Sequence, residues 1–293
     1  MHIANVWLIT GASGGFGACL VKSILARGDR VIATARSLNK IPLEGIPQSK
    51  LDNDLRLLTL DVTAGEEAIT KIMEEAFAFW GRIDVLVNNA GYVEKMIMEE
   101  GGSARLKKQF EANVFGPLDV TTAVLPYMRA ARSGTIVMIG SRTSWRPEIP
   151  SLGPYAASKA ALRVFSETLA VELAPFSIRM LIVEPAAFLT NTMVSTHIYE
   201  GNKIPDYDAL RFEGEDVYKR AYRTLKGDPA KAMEAVVDVV RGEGKAKGRA
   251  WPGMLVLGDV GVSGVKEKCE QVMGLLEEWR DVSTTLNFDT EES

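Results

Sequence analysis

A tyrosine and a lysine four residues apart, Tyr155 and Lys159, give the sequence its most specific chemical signal. They open a helical pattern, and residues four apart share one face of a helix. An ordinary phenol, with a pKa of about 10, exchanges protons poorly near neutral pH, and a neighbouring ammonium lowers that value. Such a pair is by itself more often a surface feature. If the fold buries it, the spacing predicts an acid/base pair in which Lys159 lowers the pKa of Tyr155.

Two other polar residues are candidates for the same site. Ser141 directly follows a short apolar run that ends at Gly140, and Ser144 nearby is the alternative to it. Asn113 lies inside a long helical pattern, where asparagine is mildly unfavourable and usually has a reason to be present. The plain alternative for Asn113 is an exposed polar position.

A glycine-rich turn, residues 10–17, stands between the first apolar run and the first helical pattern. Glycine lets the backbone turn tightly and lets a pyrophosphate approach the main chain, and the helix N-terminus offers free N–H groups to that anion. A tight strand-to-helix turn needs the same residues, so the cluster alone is weak evidence. The candidate phosphate-binding residues are Thr10, Gly11, Ser13, Gly15, Phe16 and Gly17.

These residues follow the strands of a predicted parallel sheet. Short runs rich in β-branched residues alternate with longer helical patterns, which is typical of βαβ units. We expect an α/β fold, a doubly wound parallel seven-stranded sheet with helices on both faces. Thr63 and Glu66 form a possible capping box, and Pro126 is expected to end or bend the third helix. The predicted strands are Val6–Thr10, Arg30–Ala35, Arg56–Leu60, Val85–Asn88, Thr135–Ile139, Ile178–Val183 and Met254–Leu257. The predicted helices are Gly15–Ala26, Ala64–Trp80, Ala104–Arg129, Tyr155–Ala174, Ala230–Arg241 and Val265–Thr284.

Composition narrows the function further. The 293 residues carry a net charge of -4, which argues against nucleic-acid binding. With two histidines and two distant cysteines, we expect neither a metal site nor a disulfide. The first residues show no leader or membrane-spanning pattern, so we expect a cytoplasmic protein acting on small molecules.

The order of these motifs resembles the short-chain dehydrogenase/reductase family. Residues 10–17 are similar to its TGxxxGxG motif, residues 88–91 to NNAG, and residues 155–159 to YxASK. The resemblance covers Val6 to Thr190, about two-thirds of the chain. It implies a single domain over residues 1–293 with a Rossmann-type cofactor site and hydride-transfer chemistry.

The resemblance also implies roles for individual residues. Tyr155 would transfer the proton, and Lys159 would lower the pKa of Tyr155 and bind the nicotinamide ribose. Ser141 would position the substrate oxygen, and Asn113 would hold a water in a proton relay. Further cofactor contacts would come from Asp61, Val62, Asn89, Ala90, Gly91, Pro185 and Thr190. Two departures stand out: Ser141 lies 14 residues before Tyr155 where 13 is common, and Ala186 replaces a usual glycine.

The end of the second strand bears on cofactor choice. An acid there hydrogen-bonds the ribose of NAD, but this chain has Ala35 followed by Arg36, whose planar fork suits a 2′-phosphate. An exposed arginine with no ligand is the alternative. We therefore expect NADP(H) as the cofactor.

The segment Asn191–Lys226 mixes aromatic and apolar residues with glycine and proline breaks. We expect a mobile lid over an apolar substrate pocket, with Met193, Tyr199 and Phe212 contacting substrate. A pair of permanently packed helices is the alternative, and residues 285–293 are expected to be a loose tail. The predicted function is interconversion of a ketone or aldehyde and an alcohol by a homodimer or homotetramer. Non-redox or C=C-reducing chemistry, or a regulator that binds NADP(H) without turnover, are the alternatives.

Overall fold

One parallel sheet organises the chain. A computed structural model describes residues 4–190, 198–224 and 226–288. In these ranges seven strands form one sheet in the order β3-β2-β1-β4-β5-β6-β7, and every neighbouring pair is parallel. The predicted doubly wound α/β fold is therefore confirmed. The strands are β1 Val6–Ile9, β2 Arg30–Ala35, β3 Leu55–Thr59, β4 Val85–Asn88, β5 Gly134–Ile139, β6 Ile178–Pro185 and β7 Met254–Leu257.

Each central strand is buried on both faces, which explains its nearly continuous apolar sequence. In β1, Trp7 and Ile9 point to one core, while Val6 and Leu8 point to the other. All four side chains are fully buried. Since successive side chains of a strand alternate between faces, both cores need apolar residues from the same four-residue run.

Helices cover the two faces of the sheet. Core residues of α1 and α8 pack on one face, and those of α3, α5 and α6 pack on the other. None of the helices in the described ranges is both long enough and apolar enough to cross a membrane. Among the described residues the α-helices are α1 Gly15–Ala26, α2 Gln48–Asp54, α3 Glu66–Ala78, α4 Met98–Phe110, α5 Gly116–Ala131, α6 Gly153–Leu173, α7 Asp208–Thr224, α8 Pro229–Arg241, α9 Asp259–Glu278 and α10 Arg280–Ser283.

The helix predicted over Ala104–Arg129 is two helices joined by a wider turn. A π-helical stretch, Glu111–Phe115, separates α4 from α5 and contains Asn113. Such widened turns are rare and often lie at functional sites. Pro126, which is expected to end or bend this helix, does not end it, because α5 continues to Ala131, and a bend stays a prediction.

The predicted capping box before α3 is also absent. Gly65 occupies the N-cap and provides no side-chain hydrogen bond. The Thr63 hydroxyl instead donates to the carboxylate of Asp61 at 2.8 Å. The local Asp–Thr contact therefore takes the hydroxyl that the box would need. Cys19 and Cys269 are both free thiols.

Candidate active site

A cleft of about 1060 Å³ lies at the carboxyl ends of the strands. In open parallel sheets this is where ligands bind. The cleft gathers residues that are far apart in sequence, from the glycine-rich turn to α7. Of the residues predicted to bind cofactor or to act in catalysis, it is lined by Gly11, Ser13, Gly15, Phe16, Arg36, Asp61, Val62, Asn89, Ala90, Gly91, Ser141, Tyr155, Lys159, Pro185 and Thr190.

The turn between β1 and α1 can be built only from glycine at two positions. Gly11 has a φ of +70°, in the left-handed region that side chains disfavour. A Cβ on Gly17 would lie 2.3 Å from the Gly11 carbonyl oxygen, so α1 could not pack against the turn. The resulting turn opens into the cleft next to the free N-terminus of α1, as an anion site requires.

Thr10 and Asn89 tie this turn to the end of β4. The Thr10 hydroxyl accepts hydrogen bonds from the backbone N–H groups of Asn89 at 3.0 Å and Ala90 at 2.9 Å. The Asn89 side chain donates in return to the carbonyl oxygens of Thr10 at 2.9 Å and Gly11 at 3.0 Å. Asn89 and Thr10 therefore hold the glycine-rich turn in place.

A positively charged corner lies at the end of β2. Ser13, Arg36, Ser37 and Lys40 line a small side pocket there. Arg36 is exposed, and Ala35 occupies the position where an acid would repel a 2′-phosphate. The sequence analysis did not identify Ser37 and Lys40 as part of this pocket. Lys40 lies near Arg36 because of the short helical turn at residues 38–40.

On the opposite side of the cleft from the positively charged corner, Tyr155 lies beside Ser141, and Lys159 lies on the same side. The Ser141 hydroxyl lies close enough to the phenol to act on its pKa. Ser141 is also held by Thr143, whose N–H and hydroxyl both lie within hydrogen-bond distance of its oxygen, at 3.3 and 3.0 Å. Ser144 turns away and donates to Glu184 at 3.0 Å. The 14-residue spacing therefore does not prevent contact between Ser141 and Tyr155.

The protonation of Tyr155 differs from the expectation. Burial raises the pKa of its phenol to about 12, the hydrogen bond from Ser141 opposes this, and the nearby Glu184 adds to it. The Lys159 ammonium lies 5.8 Å from the centre of the Tyr155 ring and donates to the Ile139 carbonyl at 2.7 Å. Lys159 is not among the groups that shift the pKa of Tyr155, contrary to the expectation, and Tyr155 stays protonated at neutral pH.

Lys159 and Asn113 face a common space next to Gly91. Asn113 is fully buried, accepts a hydrogen bond from the Tyr92 N–H and donates to the Tyr92 carbonyl, both at 3.0 Å. A Cβ on Gly91 would lie 2.9 Å from the Asn113 side-chain oxygen and 3.8 Å from the Lys159 nitrogen. The missing side chain of Gly91 therefore leaves an opening between the two polar groups.

Glu184, which the sequence analysis did not single out, is fully buried behind this site. One carboxylate oxygen accepts hydrogen bonds from the Ser141 N–H and the Ser144 hydroxyl, both at 3.0 Å. Burial raises the pKa of Glu184 to about 7, although these hydrogen bonds and the charge of Lys159 oppose the rise. Burial also lowers the pKa of Lys159 to about 8, and Glu184 opposes that shift.

The chain that leaves β6 tolerates alanine at position 186. The Ala186 N–H donates to the Leu257 carbonyl at 2.9 Å, and its φ is not in the left-handed region that glycine favours. Its methyl group lies close to Gly261, where an added Cβ would be only 3.2 Å away. The glycine on α9 thus provides the room that Ala186 needs, and Thr190 still reaches the cleft beside Gly15.

The substrate side of the cleft is formed by different residues from those predicted. Phe212 is 75% exposed, and neither Phe212 nor Tyr199 lines the cleft; the Tyr199 ring lies instead against the Arg105 guanidinium. Met193 lies outside the described residues. Among the described residues, the wall beyond Tyr155 contains Tyr92, Val93, Lys95, Ile149, Leu152, Val217 and Tyr218.

Helix α7 covers this wall and is anchored to α4. Arg211 pairs with Glu100, and both side chains are buried. The Ile204 N–H also donates to Glu100, at 2.8 Å. These contacts hold the described part of the predicted lid against the body of the protein, and its mobility stays a prediction.

Comparisons with known proteins agree with this geometry. A family model described as short chain dehydrogenase matches residues 5–200 of the chain. A 3-ketodihydrosphingosine reductase from Bacteroides thetaiotaomicron is 37% identical over 222 residues, covering 76% of this chain and 75% of that protein.

Solved structures extend the match to the whole fold. A short-chain dehydrogenase from Streptomyces avermitilis is 36% identical with a TM-score of 0.83, covering 98% of this chain and 100% of that one. The closed form of a serine dehydrogenase complexed with NADP+ is 27% identical with a TM-score of 0.67, covering 86% and 94%.

Proposed function

The chain belongs to the short-chain dehydrogenase family, and we propose that it is an NADP(H)-dependent oxidoreductase that interconverts a ketone or aldehyde and an alcohol. The observation that carries this proposal is the position of Tyr155 beside Ser141 and buried Lys159. All three line the cleft that begins at the glycine-rich turn. A cofactor site and an acid/base group therefore share one space.

In this proposal the residues of the chain position the substrate oxygen and move a proton. Ser141 hydrogen-bonds the carbonyl oxygen, and Tyr155 donates its phenolic proton to that oxygen during reduction. A phenol with a pKa of about 12 is protonated at neutral pH and therefore holds the proton to be donated. The alkoxide that forms when a carbonyl is reduced is a stronger base than the phenolate and can take that proton. The bound nicotinamide supplies the hydride.

Lys159 and Asn113 would return the proton to Tyr155. Burial lowers the pKa of Lys159 to about 8, so this ammonium gives up a proton more readily than an exposed lysine. The opening beside Gly91 joins Lys159 to Asn113, whose side chain is held by Tyr92 and Ser158. We propose that a water there carries protons between Lys159 and solvent.

Three features fit NADP(H). Gly11 and Gly17 let the turn and α1 pack closely, and Gly11, Ser13 and Gly15 line the cleft at the free N-terminus of α1. Arg36 and Lys40 place two cations in the side pocket at the end of β2, where two positive charges suit a phosphate. The serine dehydrogenase with a similar fold binds NADP+. In this chain Arg36 and Lys40 would hold the 2′-phosphate, and Thr190 would lie near the nicotinamide.

The test is a panel of ketones and aldehydes assayed with NADPH and with NADH. We expect reduction with NADPH, and a loss of at least about tenfold in NADPH affinity in an Arg36→Leu, Lys40→Met double variant, since a charge-assisted hydrogen bond contributes roughly 1.5–3 kcal/mol. Lys71→Met, which changes an exposed lysine of α3, is the control. NADPH binding without turnover of any carbonyl would favour the regulator, and reduction of C=C bonds alone would favour the other alternative.

We also propose that the protein forms a homodimer or homotetramer through α5 and α6. Val164, Phe165 and Val171 of α6 are exposed apolar residues, and Phe115 at the start of α5 is exposed as well. A two-fold axis would bury the same patch on both copies. Sedimentation as a monomer at micromolar concentration would contradict this. Cytoplasmic location stays a prediction from the sequence.

A further inference from the structure

Lys95 places an unpaired positive charge in the substrate part of the cleft. The residue is 6% exposed and lines the same cleft as Tyr155 and Ser141. Within the described part of the chain its ammonium makes no hydrogen bond and no ion pair; its one close contact is the Tyr218 ring, 3.5 Å from the nitrogen to the ring centre. Buried lysines are almost always paired, so this one needs a reason.

The nearest acid does not supply the missing partner. Glu215 acts on Lys95 only through its charge, and its carboxylate is bonded to Lys219 at 3.0 Å. Burial lowers the pKa of Lys95, which shows that the charge is poorly compensated. The backbone of Lys95 is nevertheless held firmly, because its carbonyl accepts a hydrogen bond from the Tyr199 N–H at 2.7 Å. The side chain is thus fixed at the cleft wall without a counter-charge.

Tyr218 adds a second unused donor at the same place. Its hydroxyl is buried and has no partner among the described residues. Burial raises the pKa of this phenol, and Tyr155 raises it further, so Tyr218 is neutral and close to the catalytic tyrosine. A buried hydroxyl without a partner is unfavourable, and a ligand oxygen beside Lys95 would satisfy both groups.

We propose that Lys95 and Tyr218 form a carboxylate-binding subsite, so that the substrate is an oxo-carboxylate and its product the hydroxy-carboxylate. This rests on the proposed function, because it assumes that a carbonyl is reduced at Tyr155. One ammonium and one neutral hydroxyl match a single negative charge on two oxygens, whereas a phosphate would leave a charge uncompensated. The apolar residues Val93, Leu152 and Val217 line the same wall and would contact the rest of the substrate.

Binding can be tested without turnover. Benzoate, which has no reducible carbonyl, and neutral benzamide are titrated calorimetrically into the protein with and without NADPH. We expect benzoate to bind at least about tenfold more tightly than benzamide, and Lys95→Met to remove that preference. Lys203→Met, which removes an exposed lysine from the stretch before α7, should keep that preference.

Turnover provides the second measurement. Benzoylformate and levulinate are compared with their methyl esters. In Lys95→Met, kcat/KM for the acids should fall roughly 10- to 100-fold, while that for the esters changes less than about twofold. Tyr218→Phe keeps the ring over the ammonium and should cost the acids about fivefold. Retained ester reduction shows that each variant is folded.

The two proposals fail in different ways. If benzoate binding depends on Lys95 but no carbonyl is reduced, the subsite stands and the proposed reaction is wrong. If esters and acids are reduced equally well, and Lys95→Met changes neither turnover nor benzoate binding, the subsite is overturned while the oxidoreductase remains.

Discussion

Glu184 should make the protein less stable as the pH rises towards neutrality. The perturbation is Glu184→Gln, which removes the titrating proton but keeps an oxygen that can accept from the Ser141 N–H. Wild-type Glu184 is fully buried, and one of its two oxygens has no hydrogen-bond partner among the described residues. The cost of ionising this carboxyl is therefore not fully offset by its neighbours.

The size of the effect follows from the pKa. The unfolded chain gives Glu184 its ordinary value of 4.5, and the fold raises it to about 7. A raised acid pKa means that the folded protein binds the proton more tightly, so its contribution to stability is fully present below pH 4.5 and is lost by about pH 7. At about 1.4 kcal/mol per pH unit the whole loss is roughly 3 kcal/mol, and most of it falls between about pH 5 and pH 8.

Urea unfolding of wild type and Glu184→Gln at several pH values measures this directly. The free energy of unfolding of wild type, minus that of the variant, should fall by roughly 2–3 kcal/mol from about pH 5 to pH 8. Glu67→Gln, which changes an 87% exposed side chain, controls for the loss of one carboxylate. Parallel curves for wild type and Glu184→Gln would refute the assignment of a buried, costly carboxylate at this position.

Three further predictions concern the cofactor turn and the catalytic serine. Gly17→Ala should weaken NADPH binding at least about tenfold or destabilise the fold by roughly 1–3 kcal/mol, as measured by fluorescence titration and urea unfolding, because its Cβ would meet the Gly11 oxygen at 2.3 Å. Ser141→Ala should lower kcat by roughly 10²-fold, whereas Ser144→Ala should change it less than about tenfold; equal losses would show that Ser141 has no special role. Replacing Ala35 with Asp and Arg36 with Leu should shift preference from NADPH to NADH, and an unchanged ratio of the two kcat/KM values would remove Arg36 from the cofactor site.

The parts of the fold that depend on local sequence could be predicted. Strands β2, β4 and β7 and helix α1 have the predicted bounds, because short β-branched runs and glycine punctuation determine them locally. The glycine-rich turn and the Tyr155–Lys159 pair could be predicted for the same reason, because the residues of each are close in sequence.

Contacts across the fold could not be predicted in this way. Glu184 reaches Ser141 only because β5 and β6 are paired in a particular register that joins residues 43 positions apart. Lys95 and Tyr218 meet only when α7 lies on the cleft. In this position of α7, Phe212 faces solvent. This could not be predicted, because the apolar pattern of a helix does not show which of its residues face a ligand. The widened turn at Asn113 has no distinct sequence pattern beyond the asparagine itself.

The central claim is that Tyr155 gives a proton to a carbonyl that receives hydride from NADPH in this cleft. The most direct measurement follows deuterium into the alcohol product from NADPH that carries deuterium at both C4 positions of the nicotinamide, with wild type and Tyr155→Phe compared at equal NADPH saturation. We predict deuterium on the former carbonyl carbon in wild type, and a rate about 10²–10⁴-fold lower in Tyr155→Phe with NADPH affinity unchanged. Product without deuterium, or a Tyr155→Phe variant as fast as wild type, would contradict the account.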